Sequence, residues 1–347
     1  MRILITGNTG YIGPVLVERL RREYPESYII GYDSGFFAHM LTNAKCFPEV
    51  YVDEQHFGDI RNFPTDIMDG VDIVVHLAAI SNDPIGNVFK TITEEINSTA
   101  SVAIAEIAKR AGCQRFIFAS SCSMYGATGG NAKKESDTLD PLTTYAKSKV
   151  FMEKELSKLA DNNFVVTNLR YSTACGMSPR LRLDLVLNDF VASALTTGKV
   201  EILSDGKPWR PLIDVKDMVT SMIWSIERDV DAESEIVSVN VGKNEWNYQV
   251  KDIANEVANV LGNVDVYISE NSMPDKRSYK VDFTLYEKIA PNHQPSVGLA
   301  QSISELRDGL QEMGFADGKF RNSQYMRLKV LQKHIAEKRL DDNLFWL

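Results

Sequence analysis

The feature that most constrains the fold is a glycine-spaced turn close to the N-terminus. An apolar segment, Arg2-Ile3-Leu4-Ile5-Thr6, leads directly into Gly7, Gly10 and Gly13. A helical pattern follows, with Pro14 in its first turn, where the missing N–H of proline costs nothing. Glycines let a backbone approach phosphate groups closely, and free N–H groups at a helix N-terminus attract anions. The order of strand, glycine turn and helix therefore predicts a pyrophosphate-binding site.

An aspartate at the end of the next apolar segment specifies the ligand further. The segment Tyr28–Tyr32 is followed by Asp33, twenty residues after Gly13. A carboxylate at this position accepts hydrogen bonds from both ribose hydroxyls of an adenosine and repels a 2′-phosphate. Aspartate is also common in turns after strands, but the glycine turn upstream favours a binding role. The sequence therefore predicts NAD, rather than NADP, as the cofactor.

Further residues are predicted to line this nucleotide site. Asp59 and Ile60 follow a candidate strand at Val50–Val52 and are placed to border the adenine ring. The segment from Val71 to Leu77 is almost continuously apolar, which predicts a strand buried on both faces. Small residues at its end would let a cofactor lie across the strand. The residues at that strand end are Leu77, Ala78 and Ala79.

A second motif indicates acid–base chemistry. Tyr145 and Lys149 are four residues apart, a spacing that places both on one face of a helix. A lysine ammonium beside a phenol favours the phenolate, and such a tyrosine can take a proton from an alcohol near neutral pH. Ser121 follows the apolar segment Phe116–Ser120, where a parallel strand would deliver a hydroxyl to the carboxyl edge of a sheet. We therefore expect Ser121, Tyr145 and Lys149 to be the catalytic residues.

Composition and charge limit the class of protein. The chain has 347 residues, a net charge of −9 and a sequence pI near 5.2, which argues against nucleic acid as a partner. No apolar segment is long enough to span a bilayer, so we expect no membrane partner. The N-terminal segment leads straight into a predicted strand, so we expect no signal peptide. The four cysteines have neither zinc-type nor disulfide-dense spacing, so we expect no metal site and a cytoplasmic location.

Strand and helix patterns alternate through residue 175, which predicts an α/β fold with a Rossmann-type doubly wound parallel sheet. Shorter elements follow and predict a smaller C-terminal α/β substrate-binding domain. We place the NAD-binding domain at residues 1–175, the substrate domain at 176–320 and a C-terminal helical tail at 321–347. A later strand at 235–241 is expected to rejoin the first sheet. The chain ends in Leu344-Phe345-Trp346-Leu347, which is expected to pack on the protein or on a partner subunit.

In this order the motifs resemble those of the extended short-chain dehydrogenase/reductases, and within them the NAD-dependent epimerase/dehydratase family acting on nucleotide sugars. The resemblance covers about the first 315 residues. It implies that Ser121 and Tyr145 hold the reacting sugar hydroxyl. It also implies that Lys149 binds the nicotinamide ribose and lowers the pKa of Tyr145. The family further implies a homodimer through a four-helix interface formed by helices at residues 97–111 and 144–160.

The resemblance also implies a nucleotide-diphosphate sugar as the substrate. Arg210 and Arg277 match diphosphate-binding arginines of the family, and guanidinium groups suit phosphate oxygens because they bind them bidentately. Asn188 matches a polar residue that faces the same diphosphate. The other predicted substrate-binding residues are Ser81, Ser123 and Thr173. The predicted cofactor-binding residues are Gly7, Gly10, Tyr11, Ile12, Gly13, Asp33, Asp59, Ile60, Leu77, Ala78, Ala79, Tyr145 and Lys149.

Departures from the family's pattern concern the reaction. Dehydratases of the family carry an Asp-Glu pair directly after the residue that Ser121 matches, whereas this chain has Cys122 and Ser123 there. Without that pair, elimination of water from the sugar loses its usual acid and base. Thr173 stands where many members have asparagine, which bears on the identity of the sugar.

We therefore interpret the chain as an NAD-dependent enzyme that oxidises carbon 4 of a nucleotide-diphosphate sugar, as a 4-epimerase or a 4-dehydrogenase. Three alternatives stay open. One is epimerisation at a carbon next to a transient ketone, for which Cys122 is the candidate second acid–base group. Another is a dehydratase. The third, from a different class, is an NAD-binding regulator without catalysis.

Overall fold

The computed structural model describes residues 1–127, 130–230, 234–269 and 278–347. The strands are β1 (Arg2–Thr6), β2 (Tyr28–Asp33), β3 (Glu54–Phe57), β4 (Ile73–His76), β5 (Arg115–Ser121), β6 (Val165–Tyr171), β7 (Thr173–Cys175), β8 (Lys199–Ile202), β9 (Trp209–Asp214), β10 (Ile236–Val241), β11 (Asn247–Gln249) and β12 (Asp265–Ile268). The central sheet has the order β3-β2-β1-β4-β5-β6-β10, and all its neighbouring strands are parallel. The predicted doubly wound parallel sheet is confirmed.

Helices cover both faces of the central sheet, because its inner strands are apolar on both sides. The helices are α1 (Gly13–Glu23), α2 (Asp83–Val88), α3 (Lys90–Glu94), α4 (Ser101–Arg110), α5 (Thr144–Leu159), α6 (Val186–Thr197), α7 (Val215–Glu227), α8 (Val250–Leu261), α9 (Thr284–Ile289), α10 (Leu299–Glu312) and α11 (Arg327–Ala336). On one face, Ile104 of α4 and Met152 of α5 are fully buried. On the other face, Leu16 of α1 and Met222 of α7 are fully buried.

The order of the strands reverses between β1 and β4. These two strands lie side by side, with Thr6 opposite His76 in the register, while the chain continues from β1 to β2 and from β4 to β5 on opposite sides. In open sheets of this kind a crevice forms outside the carboxyl ends of the strands at such a reversal. The fold therefore places the glycine turn and the segment after β4 at the edge of one crevice.

The elements from β7 onward form most of a smaller α/β part. Two small sheets, β11-β9-β7 and β12-β8, pack with α6, α8 and α10 around a separate apolar core that includes Leu187, Ile253 and Leu306. The strand β10 is the exception, because it pairs with β6 in the central sheet. The architecture is that of the predicted C-terminal α/β part, while the domain boundaries at residues 175 and 320 stay predictions.

The third strand of the central sheet differs from the sequence prediction. The strand predicted at Val50–Val52 is wrong: the structure has a 3₁₀-helix at Pro48–Tyr51 and places β3 at Glu54–Phe57. Val50 is 63% exposed. Since β3 is an edge strand paired only with β2, it buries little surface and needs no apolar sequence. A search for apolar segments therefore misses it.

The C-terminal tail packs on the first part of the chain. Leu331, Leu340 and Leu344 belong to the apolar core on the α4 and α5 face of the central sheet. Trp346 donates a hydrogen bond through Nε1 to the carbonyl oxygen of Ser34 at 2.6 Å. The C-terminal tail therefore packs on its own chain, which is one of the two packing partners expected from the sequence.

Two kinds of feature are absent from the described residues. Among these residues, no helix combines the length and the apolar character needed to cross a membrane. The same part of the chain contains no group of three or more His, Cys, Asp or Glu side chains arranged to hold a metal ion.

His76 lies at the end of β4 and is enclosed by the core. Its Nδ1 is 2.8 Å from Oγ1 of Thr6, and its Nε2 is 2.9 Å from Oγ of Ser101. Burial, and to a lesser extent the charge of Lys149, lowers the pKa of His76 to about 3. A neutral imidazole therefore links β1, β4 and α4.

We expect His76 to make the folded protein sensitive to acid. Between pH 6.5 and about 3 the unfolded chain binds a proton at this histidine that the folded chain does not. The free energy of unfolding therefore rises with pH across this window and is lost on acidification, by about 1.4 kcal/mol per pH unit for one proton. His76→Gln should remove this slope in denaturant titrations, whereas His56→Gln, at a partly exposed position, should keep it. Equal slopes in His76→Gln and the wild type would contradict this expectation.

Candidate active site

A cavity of about 940 Å³ opens at the carboxyl ends of β1, β4 and β5. It extends into the smaller part of the chain, where Phe190 lines it. Most of the predicted site residues share its wall, namely Gly7, Gly10, Tyr11, Ile12, Asp33, Asp59, Ile60, Leu77, Ala78, Ala79, Ser81, Ser121, Ser123, Tyr145, Lys149, Thr173 and Arg210. The fold thus brings residues from distant parts of the sequence into one space.

The glycine turn after β1 has the close packing that a dinucleotide requires. Gly7 has a φ of +77°, and a Cβ at this position would lie 2.6 Å from the backbone nitrogen of Ala78. A Cβ on Gly13 would lie 2.1 Å from the carbonyl oxygen of Asn8, so Gly13 acts from behind the wall by letting α1 pack on the turn. Ile12, the N-cap of α1, makes no side-chain cap hydrogen bond. The helix start is therefore not capped by this side chain, which fits the pyrophosphate of NAD.

Asp33 is held rigidly at the end of β2. Its carboxylate accepts hydrogen bonds from the backbone N–H groups of Thr9 at 3.0 Å and Gly35 at 2.7 Å. Burial raises the pKa of Asp33, and these two hydrogen bonds act in the opposite direction. Each carboxylate oxygen keeps a further lone pair for a ribose hydroxyl. The environment of Asp33 thus fits the adenosine ribose of NAD.

Ser121 and Tyr145 meet where β5 ends and α5 begins. Thr143 caps α5 by accepting a hydrogen bond from the backbone N–H of Ala146 at 3.1 Å, which fixes the first helical turn. Ser121 is close enough to the hydroxyl of Tyr145 to lower the pKa of that phenol. The hydroxyl of Ser121 also lies 2.9 Å from Oγ of Ser123. The predicted pair of hydroxyl groups therefore exists on the cavity wall.

Lys149 lies one helical turn after Tyr145 and is buried. Its Nζ donates a hydrogen bond to the carbonyl oxygen of Ala119 at 2.7 Å and is 5.5 Å from the centre of the Tyr145 ring. Burial lowers the pKa of Lys149 to about 7, and Glu153 opposes this change. Burial also raises the pKa of Tyr145 to about 12, and the lowering effect of Ser121 on this pKa is smaller. In the protein alone, desolvation thus outweighs the pKa lowering that the resemblance implied.

Cys122 is next to Ser121 but is enclosed. Its side chain is fully buried, and its S–H donates to the carbonyl oxygen of Arg170 at 3.1 Å. Burial raises the pKa of this thiol well above its ordinary value. A buried neutral thiol is chemically inert. The structure therefore does not support Cys122 as a second acid–base group.

The three predicted diphosphate ligands have different placements. Arg210 lines the cavity. Asn188 is fully buried, where its side chain accepts from the backbone N–H of Gly176 at 3.0 Å and donates to the carbonyl oxygen of Arg182 at 3.0 Å. These hydrogen bonds satisfy backbone groups of an irregular loop. Asn188 therefore stabilises the cavity wall from outside the cavity and does not line it. Arg277 lies outside the described residues.

Two charged features of the cavity wall are not among the site residues predicted from the sequence. Arg182 donates to both carboxylate oxygens of Asp184, at 2.5 and 3.0 Å, and to Oγ of Ser81 at 2.9 Å. Asp83 begins α2 and also lines the cavity. After burial, its charge is among the causes that raise the pKa of Tyr145. The spacing of Arg182 and Asp184 in an extended segment was a possible signal, whereas Asp83 had none.

The chain is similar to known proteins in both sequence and structure. Residues 3–242 match the family model described as the NAD dependent epimerase/dehydratase family. The chain is 31% identical over 232 residues to a Bacillus subtilis (strain 168) protein described as "Uncharacterized UDP-glucose epimerase YtcB". That match covers 63% of this chain and 70% of the relative.

Solved structures share the fold. MoeE5 in complex with UDP-glucuronic acid and NAD has a TM-score of 0.77 at 22% identity, covering 90% of this chain and 99% of that chain. UDP-glucuronic acid 4-epimerase from Bacillus cereus, in complex with UDP-glucuronic acid and NAD, has a TM-score of 0.75 at 21% identity, covering 90% and 100%. Because the family model matches well over half of the chain, the protein belongs to the NAD dependent epimerase/dehydratase family and is an enzyme with NAD as its cofactor.

Proposed function

We propose that the protein is a nucleotide-sugar 4-epimerase, which oxidises carbon 4 of a nucleotide-diphosphate sugar and then reduces it from the other face. The observation that carries this proposal is that Tyr145, Ser121 and Lys149 lie on the wall of one cavity that also holds the glycine turn and Arg210. The description of the Bacillus subtilis relative as an epimerase, and a 4-epimerase of the same fold, support it. A 4-dehydrogenase, which releases the ketone, would use the same residues.

Tyr145 exchanges the proton of the reacting hydroxyl. Its Oη takes this proton while the C4–H bond breaks, and Ser121 orients the reacting oxygen by a hydrogen bond. When bound, NAD accepts the hydride from carbon 4 and, for epimerisation, supplies it back. Tyr145 returns its proton to the oxygen as the ketone is reduced, so the cycle needs no external acid. Lys149, when protonated, favours the ionised form of Tyr145 because of its charge.

The cofactor would lie along the carboxyl ends of the strands. The glycine turn would hold the pyrophosphate, and Asp33 the adenosine ribose. Asp59 and Ile60 would border the adenine, and Lys149 would donate to the nicotinamide ribose. The support for this placement is that these groups line one cavity and that the turn and Asp33 have environments that fit. On the substrate side, the proposal uses Ser81, Ser123, Thr173 and Arg210.

Asp83 favours a second candidate reaction. Its carboxylate lies on the wall close enough to Tyr145 to raise the pKa of that phenol. A carboxylate beside a transient C4 ketone can remove a proton from the neighbouring carbon. That step would lead to epimerisation next to the ketone or, with loss of water, to a dehydratase product.

Turnover in deuterium oxide separates these reactions. A panel of UDP-, GDP- and dTDP-linked hexoses would be incubated with the enzyme and analysed by NMR. A 4-epimerase gives an inverted C4 with no carbon-bound deuterium, because the hydrogen leaves and returns as hydride. Deuterium at a carbon next to C4 would indicate the Asp83 chemistry instead. NADH that accumulates in proportion to product would indicate a 4-dehydrogenase, and no turnover of any sugar would contradict the proposal.

Arg210→Ala is expected to weaken substrate binding. Hydrogen bonds to charged groups contribute about 1.5–3 kcal/mol, which corresponds to a rise in KM of about 10- to 100-fold. The effect on kcat should be smaller, since the diphosphate is bound alike in the ground state and the transition state. Arg22→Ala, on the exposed face of α1, is the matched control. An unchanged KM in Arg210→Ala would contradict the proposal that Arg210 binds the diphosphate of the substrate.

Assembly stays a prediction as well. The helices of the predicted four-helix interface, α4 and α5, pack side by side, and Phe151 of α5 is 45% exposed. An exposed aromatic side chain on this face is consistent with contact to a second subunit. Light scattering at micromolar protein should give about twice the chain mass of 38.9 kDa, and a monomer mass would contradict the homodimer.

A further inference from the structure

The chain ends in a compact turn, residues 340–347, which we call the C-terminal hook. Leu340 and Trp346 form an isolated antiparallel bridge. The carboxylate of Asp341 accepts hydrogen bonds from the backbone N–H groups of Asn343 at 2.9 Å and Phe345 at 2.8 Å. The hook is therefore an ordered element with its own hydrogen bonds rather than a loose end.

Apolar anchors hold the hook on the central sheet. Leu340 and Leu344 are almost completely buried, at 1% and 0% exposure, in the core on the α4 and α5 face. The preceding helix contributes His334, whose Nε2 is 3.2 Å from the carbonyl oxygen of Phe36. The ring of His334 also packs edge-on against that of Trp346, at 5.2 Å between the ring centroids, whereas Leu340 and Leu344 are the apolar anchors.

Trp346 fastens the segment that follows Asp33. Its Nε1 donates to the carbonyl oxygen of Ser34 at 2.6 Å, and its ring centroid is 5.9 Å from that of Phe36. Ser34 and Phe36 both line the cavity. The position of this stretch of the wall, next to the proposed ribose ligand, is thus set by the last residues of the chain.

The hook also fastens a second stretch of the wall. The Cζ atom of Arg61 is 3.7 Å from the centroid of the Phe345 ring, and Nη1 donates to the carbonyl oxygen of Asn343 at 2.9 Å. The same guanidinium donates through Nη2 to the carboxylate of Asp59 at 2.6 Å. Asp59 and Ile60 line the cavity. The C-terminal hook therefore contacts both stretches of the cavity wall that are proposed to enclose the adenosine.

We infer that the C-terminal hook is a positioning element of the NAD site, with Phe345 and Trp346 as its positioning residues. It holds the two walls of the adenosine end at a fixed separation, which slows the release of the cofactor. Slow release suits an epimerase, which reuses its NAD, and would limit a dehydrogenase that must exchange it. The inference rests on the adenosine placement proposed above and not on the identity of the sugar.

Binding of the two halves of the cofactor tests this role. In calorimetric titrations, Trp346→Ala should weaken NAD and ADP-ribose by about 10-fold each and leave nicotinamide mononucleotide unchanged. Trp346 is 47% exposed, and Leu340 and Leu344 remain as anchors, so the variant should fold. Trp346→Phe keeps a ring near Phe36 but loses the N–H donor, and should lie between the wild type and Trp346→Ala. Trp246→Ala, outside the cavity wall, is the matched control.

Asp33→Ala serves as the reference for the adenosine placement. If it weakens ADP-ribose while Trp346→Ala does not, the hook has no positioning role and the placement stands. If Trp346→Ala weakens both halves of the cofactor equally, the hook acts only on general stability, which also overturns the inference. If Asp33→Ala leaves ADP-ribose binding unchanged, the placement itself fails, and the role of the hook fails with it.

Discussion

Tyr145→Phe is expected to lower kcat by about 10²- to 10⁴-fold, the range that general acid–base catalysis contributes. The change removes only the hydroxyl that lies beside Ser121 on the cavity wall. The ring and Lys149 stay in place, so the fold and the affinity for NAD should be preserved. Initial rates with a nucleotide sugar, together with a titration of NAD, measure both quantities.

Two variants define how specific that loss is. Tyr28→Phe removes a hydroxyl at the amino end of β2, away from the cavity, and should leave kcat unchanged. Ser121→Ala should cost less than Tyr145→Phe, because it removes one hydrogen bond and leaves the base. Full activity in Tyr145→Phe would rule out the proposed mechanism.

The parts of the site that the sequence predicts are those with a local signal. Gly7, Gly10 and Gly13 lie within one strand–turn–helix unit, and Tyr145 and Lys149 lie within one helical turn. Each spacing fixes a local shape independently of the rest of the chain. Parallel strands with short right-handed crossovers then bring these units to the same edge of the sheet. Local pattern and topology together are sufficient to predict one shared cavity.

Other features depend on contacts that leave no local pattern. Ser121 and Cys122 are neighbours, but the turn of the chain into a 3₁₀-helix at Cys122–Tyr125 exposes one to the cavity and encloses the other. The buried role of Asn188 depends on an irregular loop without periodicity. The hydrogen bond from Trp346 to Ser34 spans 312 residues. Such pairings follow from the complete packing, and the sequence does not reveal them.

Tyr145 and Lys149 lie beside each other and are best treated as one titrating pair. Loss of one proton gives either phenol with amine or phenolate with ammonium, so the apparent pKa values belong to the pair. Burial lowers the pKa of Lys149 to about 7 and raises that of Tyr145 to about 12. The pair therefore loses its first proton near pH 7, mainly from Lys149, and phenolate with ammonium is the minor form of the same protonation state.

Lys149→Met should remove this route to an ionised Tyr145. Without the ammonium, the pKa of Tyr145 should rise further above its ordinary value, and kcat/KM at about pH 7.5 should fall about 10²- to 10⁴-fold. The remaining rate should rise about tenfold per pH unit, because the phenolate fraction does so below the pKa. The wild type should instead lose rate only below about pH 7. Lys147→Met, at an exposed position on the same helix, is the control. An unshifted pH profile of kcat/KM in Lys149→Met would contradict the coupled titration of Lys149 and Tyr145.

The stability of the protein gives an independent test of the buried Lys149. Its pKa in the folded chain, about 7, is below its ordinary value of 10.5, so between these pH values the unfolded chain binds more protons. The free energy of unfolding should therefore rise with pH across this window and decrease on acidification toward pH 7. Lys149→Met abolishes that slope because methionine does not titrate, whereas Lys147→Met should retain it. If the slope is lost while the pH profile of kcat/KM stays unshifted, Lys149 is buried but does not share a proton with Tyr145. If both change together, the same buried ammonium accounts for the stability and for the chemistry.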